Sequence, residues 1–268
     1  MQFNRIFVAL ILHFIIHYCI ILHFSMDQSN HPIAVIFDMD GVIIDSNPVI
    51  VKAWRNFFTG QGITLSEEQF NHYVFGRTAT DTLQMVFNRS LDTAKLEVHS
   101  SWLNTEVGKF YLEESKIVPG ITDFVASLAA HGIPVAIATS APGENVGLVL
   151  RLAGIADYFE VISDASAVHF SKPHPEVYLK TAERLRINPA RCLVFEDSFS
   201  GIAAAKAAGM QVIALSTTHA ASELLKETTE VISDFTTIDV QHVMNIFNEP
   251  KKDPWATVRL IGGLGTWG

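Results

Sequence analysis

Cysteine is almost missing from this chain. Only Cys19 and Cys192 stand among 268 residues, and their count and spacing exclude a disulfide framework and match no zinc pattern. Cys192 opens an apolar run and reads as a small buried thiol. Positive charge is also short. Lys and Arg number 19 against 28 Asp and Glu, a formal net charge of -9, and no Lys/Arg cluster reverses that balance locally. Such a chain is not built for nucleic acid. Internal repeats and low-complexity linkers are lacking as well. Hydrophobic residues make up 49% of the chain, enough for a sizeable core in one large domain or two modest ones.

The two ends differ from the middle. Residues 6–24 read IFVALILHFIIHYCIILHF, an apolar stretch long enough to cross most of a bilayer at about 1.5 Å per residue. His13, His17 and His23 interrupt it, and no small-residue cleavage site follows. Three readings stay open: Met26 as the true start, an uncleaved membrane anchor, and a poor signal peptide. The first places the protein in the cytoplasm; the second puts it in contact with a membrane through residues 6–24. His13 and His17, spaced i, i+4, are a weak metal signal by themselves. Residues 249–268 read as a tail with no assigned function.

Between the ends, the segment FDMDGVIIDS from Phe37 to Ser46 carries the chemistry. It follows the short, β-branched run Ile33-Ala34-Val35-Ile36-Phe37, which reads as a buried strand of a parallel sheet. Asp38 and Asp40 then fall at the carboxyl end of that strand, where open α/β sheets bind ligands, and Gly41 allows a sharp turn. Two crowded carboxylates call for a cation or a shared proton. The pair therefore asks for Mg2+, with one carboxylate attacking while the other moves a proton.

Three later segments add polar groups at comparable places. The run Val135–Ala138 ends in Thr139 and Ser140, a natural phosphate cradle before a helix, although Thr139 alone could equally cap that helix. The segment SKPHPEVY offers Lys172, which taken alone is an ordinary solvated lysine; His169 and His174 beside it read as loop or surface residues. The run Leu193-Val194-Phe195 ends in Glu196 and Asp197. Phosphoryl transfer has a use for all of these groups.

The pattern predicts an α/β fold: a doubly wound parallel-sheet, Rossmann-like core with an inserted helical cap. The expected division is an apolar segment at 1–31, a core at 32–46 and 117–248, a cap at 47–116 and a tail at 249–268. The expected helices of the cap begin after Ser46, at a capping box on Ser66, at Thr78 and at Leu91. Trp54, Phe57 and Phe58 read as cap core.

At these four segments, in this order, the chain resembles the haloacid dehalogenase-like superfamily, and within it the β-phosphoglucomutase-like phosphatases with a helical cap. The resemblance spans about residues 33–232. It implies a Mg2+-dependent phosphatase that acts through an aspartyl-phosphate on a small phosphorylated metabolite, with a sugar phosphate the expected substrate. It implies Asp38 as nucleophile and metal ligand, and Asp40 as general acid/base with its backbone carbonyl toward the metal. Thr139, Ser140 and Lys172 would hold phosphate, and Asp197 with Glu196 would serve the metal directly or through water. Arg77 in FGRTATDTL is the candidate substrate contact from the cap.

Asp40 favours an oxygen leaving group, since a departing halide needs no proton. Lys52, early in the cap, keeps the imine chemistry of phosphonate hydrolases in play. The mutases resembled here carry a cap histidine and a cap arginine; by ungapped comparison these fall at Ile50 and Ala79. Those departures favour hydrolysis over a phosphomutase. A phospho-ligand-binding protein without turnover is the remaining alternative.

Overall fold

The computed structural model describes residues 32–89 and 91–248. The apolar segment at 1–31 and the tail at 249–268 lie outside them, and so do the readings attached to each. No helix among the described residues is long and apolar enough to cross a membrane.

In chain order the strands are β1 (Ala34–Phe37), β2 (Ile44–Asp45), β3 (Lys116–Ile117), β4 (Val135–Ala138), β5 (Phe159–Ser163), β6 (Cys192–Glu196), β7 (Gln211–Leu215) and β8 (Val231–Ile232). The α-helices are α1 (Asn47–Gly60), α2 (Glu67–Tyr73), α3 (Ala79–Val86), α4 (Thr93–Glu113), α5 (Ile121–Ala130), α6 (Gly143–Leu152), α7 (Glu176–Leu185), α8 (Phe199–Ala207), α9 (Ala221–Leu224) and α10 (Val240–Asn248). Six strands form one parallel sheet in the order β5-β4-β1-β6-β7-β8. Parallel pairing forces crossovers, and the helices between strands supply them.

The central strands are apolar on both faces because both faces are covered. Residues of even number on β1, β4 and β6 (Ala34, Ile36, Ala136, Ala138, Cys192, Val194) pack with Val177, Tyr178 and Ala182 of α7 and with Ala204 and Ala205 of α8. Odd-numbered residues face the other way. There Phe37 stacks on Phe195 with centroids 5.3 Å apart, and Phe124, Phe159 and Phe235 surround it at 5.9 to 6.2 Å. Cys192 is a buried free thiol, as its place in an apolar run suggests.

Helices α1 to α4 all fall between β2 and β3, and those two strands pair antiparallel, Ile44 with Ile117 and Asp45 with Lys116. The chain therefore leaves the sheet and returns to it through one small ribbon. The helical segment has its own core of Trp54, Phe57, Phe58, Phe70, Val74, Leu83, Leu96 and Leu103. The capping box expected on Ser66 is present, its hydroxyl accepting from Gln69 N at 3.1 Å while Gln69 Oε1 accepts from Ser66 N at 2.9 Å.

Differences from the sequence reading are small and physical. The ribbon β2–β3 and the four-residue helix α9 are too short to leave a periodic signature. β5 is longer than its expected Val161-Ile162 core, and the fourth helix of the insert starts at Thr93, capped by Asp92, rather than at Leu91. Helix α10 was not expected at all.

Candidate active site

The polar groups converge at the carboxyl ends of β1, β4 and β6. Each arrives there by strand register. Asp38 directly follows β1, and its N–H still donates to Phe195 O at 3.0 Å. Glu196 continues the parity of Cys192 and Val194, so it is delivered fully buried to the α7 side of the sheet. Asp197 follows with opposite parity. Gly41 turns the chain with φ of 72°, and a Cβ there would stand 1.8 Å from Asp197 Oδ2. Glycine is required at this position both for its conformation and for the approach of the two loops.

Lys172 is 1% exposed and bridges two acids: Nζ lies 2.6 Å from Glu196 Oε1 and 3.1 Å from Asp38 Oδ1. Its pKa is held above the usual lysine value, because the two carboxylates outweigh the burial that opposes charge. Glu196 is the most heavily bonded acid of the site. Its Oε1 accepts from Lys172 and from Tyr178 OH at 3.0 Å, while Oε2 accepts from the N–H of Asp197 and Ser198, each at 2.9 Å, and from Ser198 Oγ at 3.0 Å. Burial works against its charge, but the lysine and these donors hold its pKa below the ordinary value.

Asp38 and Asp197 are placed differently. Apart from the ammonium, Asp38 Oδ1 has no hydrogen-bond partner although it is buried. Burial, with Glu196 and Asp40 nearby, raises the Asp38 pKa to about 7 against the pull of Lys172. Asp197 is raised well above its ordinary value by burial, then by Glu196 and Asp38. Its Oδ2 accepts from Thr218 Oγ1, and Thr218 in turn accepts from the Asn47 side chain. Carboxylate oxygens of Asp38, Glu196 and Asp197 all lie within 4.8 Å of one another. A buried Asp38 oxygen met only by the ammonium, two acids pushed toward neutrality and an all-oxygen donor set fit a hard divalent cation such as Mg2+. The Asp40 carboxylate is not in that cluster.

Addition of Mg2+ is expected to raise the melting temperature, and more at pH 8 than at pH 6. In metal-free protein the folded Asp38 titrates near 7 and the unfolded one near 3.8. The native state therefore holds the extra proton between those values, and stability falls as pH rises through about 7. Metal binding replaces that proton and restores stability, by about 2.7 kcal/mol at a hundredfold excess over Kd. Thermal melts with EDTA and with Mg2+ at both pH values check this; equal melts at pH 8 would remove the metal from the site.

The other predicted residues are also present. Thr139 is 2% exposed, and its Oγ1 accepts from Ala141 N at 3.1 Å, so it caps a tight turn rather than the next helix. Ser140 Oγ donates to Gly76 O at 2.9 Å, from the core to the cap. Arg77 lines the pocket, but its guanidinium is engaged with backbone: Nε donates to His72 O at 3.0 Å and Nη1 to Lys172 O at 3.3 Å. Gly76 sits so close to the core that a Cβ would stand 2.0 Å from Ser200 Oγ. Lys52 is half exposed, bound to Glu114 at 2.5 Å, and not among the pocket residues. His169 and His174 are exposed loop residues, His174 against Phe170 with centroids 4.8 Å apart.

Sequence reasoning missed four contributors: Tyr111, Asn47, Thr218 and Tyr178. Thr218 follows the end of β7, so the rule that found Thr139 and Asp197 could have found it. Tyr111 and Tyr178 sit inside helices, where only the tertiary fold shows what they meet.

The pocket lies between the two parts of residues 32–240. Core groups Asp38, Asp40, Thr139 and Asp197 form one wall, and Ile50, Trp54, Leu103 and Val107 of the helical insert form another. A parallel sheet thus presents acidic strand ends beneath a helical insert. The chain belongs to the haloacid dehalogenase-like hydrolases, whose family model matches residues 34–209. A phosphorylated carbohydrates phosphatase of Thermotoga maritima is 33% identical over 180 residues, 67% of this chain and 83% of that protein. Hexitol phosphatase B of Escherichia coli is 29% identical over 191 residues, 70% of this chain and 85% of that one. Among solved structures, a β-phosphoglucomutase of Clostridium difficile superposes with a TM-score of 0.70 at 26% identity, covering 81% of this chain and 97% of its own.

Proposed function

We propose that this enzyme is a phosphatase of small phosphorylated metabolites, with sugar or sugar-alcohol monophosphates as its substrates. The observation that carries this reading is the buried Asp38–Lys172–Glu196–Asp197 cluster, of which Asp38 and Asp197 line one pocket together with Asp40. An Asp38 carboxylate oxygen attacks phosphorus in line, and the bond from phosphorus to the ester oxygen breaks. Asp40 gives its proton to that oxygen, which leaves as an alcohol. Asp40, now a carboxylate, takes a proton from water; the hydroxide attacks phosphorus, and inorganic phosphate leaves with the Asp38 carboxylate restored. Lys172, Thr139 and the backbone N–H groups around Ser140 would hold the phosphoryl oxygens. Asp38 and Asp197, with the Asp40 carbonyl, would hold Mg2+, which supplies charge neutralisation at those oxygens. Glu196 serves by anchoring Lys172, since its oxygens already accept from five donors.

Two observations favour hydrolysis over phosphoryl transfer between sugar positions. Ile50 and Ala79, which stand where the mutases resembled here carry a histidine and an arginine, both line the pocket. An isobutyl-sized side chain and a methyl neither move a proton nor bind a second phosphate. The relatives named for phosphorylated carbohydrates and for hexitols support the substrate class.

The test is phosphate release from a panel of hexose, pentose, hexitol and glycerol monophosphates with Mg2+. Release from at least one alkyl ester is expected. A folded enzyme that releases phosphate from none would overturn the reading.

A further inference from the structure

Asp40 receives two hydrogen bonds, and both end on the same atom. Ser46 Oγ donates to Asp40 Oδ1 at 2.6 Å, and Tyr111 OH donates to the same Oδ1 at 2.6 Å. Ser46 is 0% and Tyr111 2% exposed, so neither hydroxyl is a casual surface contact. The two donors come from opposite ends of the helical insert. Ser46 directly follows β2, and Tyr111 lies in the last turn of α4, just ahead of β3. Because β2 and β3 pair with each other, the ribbon holds both donors at one place beside Asp40.

We infer that Tyr111, together with Ser46, is a positioning residue that reserves Oδ1 of Asp40 as an acceptor and leaves Oδ2 as the oxygen that exchanges the proton with the leaving group. This rests on the reading of Asp40 as general acid/base. An oxygen that accepts two strong donors is a poor place for a proton, and in the neutral acid the doubly bonded oxygen is the better acceptor. The proton of the neutral acid therefore sits on Oδ2. In the first step it passes from Oδ2 to the departing ester oxygen as the P–O bond breaks. In the second, Oδ2 receives one from water. Both hydroxyls keep donating to Oδ1 throughout, so no rearrangement of donors is required between the steps. The geometry also ties proton delivery to the insert, since the phenol belongs to it and the carboxylate belongs to the sheet.

Tyr111→Phe removes one hydroxyl and keeps the packed ring. The readout is kcat/KM for two esters: the alkyl monophosphate turned over fastest in the panel, and 4-nitrophenyl phosphate. This parameter reports events through the first irreversible step, which includes departure of the leaving group. An alkoxide needs the proton; a nitrophenolate leaves without it. The expected result is a loss of about tenfold or more on the alkyl ester, within the range of general acid catalysis, and little change on the nitrophenyl ester. Ser46→Ala, measured in the same way, is expected to show the same selectivity from the other donor. Equal losses on both esters would mean that Tyr111 only packs the insert, and an unchanged ratio would overturn the inference. A parent enzyme inactive on every ester would instead overturn the phosphatase reading, and this inference with it.

Discussion

Asp38→Asn is expected to lower phosphate release by on the order of 10⁴-fold or more, as removal of an attacking group does elsewhere. The substitution keeps the shape of the side chain and removes its charge. Without the carboxylate the proposed acyl-phosphate cannot form, and the proposed cation site loses one of its two carboxylates, leaving Asp197. The fold is expected to survive. The ionised Asp38 is already disfavoured where it sits, since burial raises its pKa to about 7. In metal-free buffer at pH 8 the variant is therefore expected to melt no lower than the parent. Lys172 keeps Glu196 as its partner at 2.6 Å. Steady-state phosphate release and a thermal melt decide the matter; activity within tenfold of the parent would mean that another group attacks phosphorus.

Lys172→Met is expected to have the largest effect on stability. Methionine roughly fills the space of the lysine stem but leaves Asp38 and Glu196 buried without their cation. Breaking a buried ion pair from one side costs about 3–5 kcal/mol. The pH dependence has a definite sign. Glu196 has its pKa depressed in the native state, so its contribution is present above the unfolded value of 4.5 and lost as pH falls through the folded one. The variant is thus expected to be most destabilised near pH 8, with the gap to the parent narrowing as pH falls below 4.5. Phosphate release is expected to fall as well, because the ammonium is one of the groups proposed to meet the phosphoryl oxygens. Urea melts at pH 8 and pH 4 measure the gap. A variant as stable as the parent at pH 8 would show that the two acids are relieved by something other than Lys172.

Much of the fold could be read from the chain because the central strands are short apolar runs with nothing polar inside them. Val135–Ala138, Cys192–Phe195 and Gln211–Leu215 fall where the apolar pattern puts them. The polar residues just past those runs were legible for the same reason: a strand that ends in Thr-Ser or Glu-Asp breaks its own pattern. What lay beyond reach was pairing between distant segments. Nothing in Ile44–Asp45 or Lys116–Ile117 marks them as strands until they meet. Tyr111 reads as one of three aromatics in a long helix, and its contact with Asp40 exists only because that ribbon brings the helix end back. Arg77, the candidate substrate contact from the insert, lines the pocket, and its guanidinium also joins its loop to the backbone at Lys172, a contact that only the fold shows. Helix α10 is legible too, since Val240, Val243 and Phe247 have the spacing of one helical face.

Pairing of Ile44 with Ile117 and of Asp45 with Lys116 also bears on how such a molecule can change over time. Entry to and exit from the insert are fastened together, so for the sheet the whole excursion counts as a tight turn. The entropy of closing such a loop grows only with the logarithm of its length. Helices can be added, trimmed or exchanged beyond that knot while the strand order behind it stays as it is. The acids at the strand ends would then persist across descendants whose preferred compounds diverge.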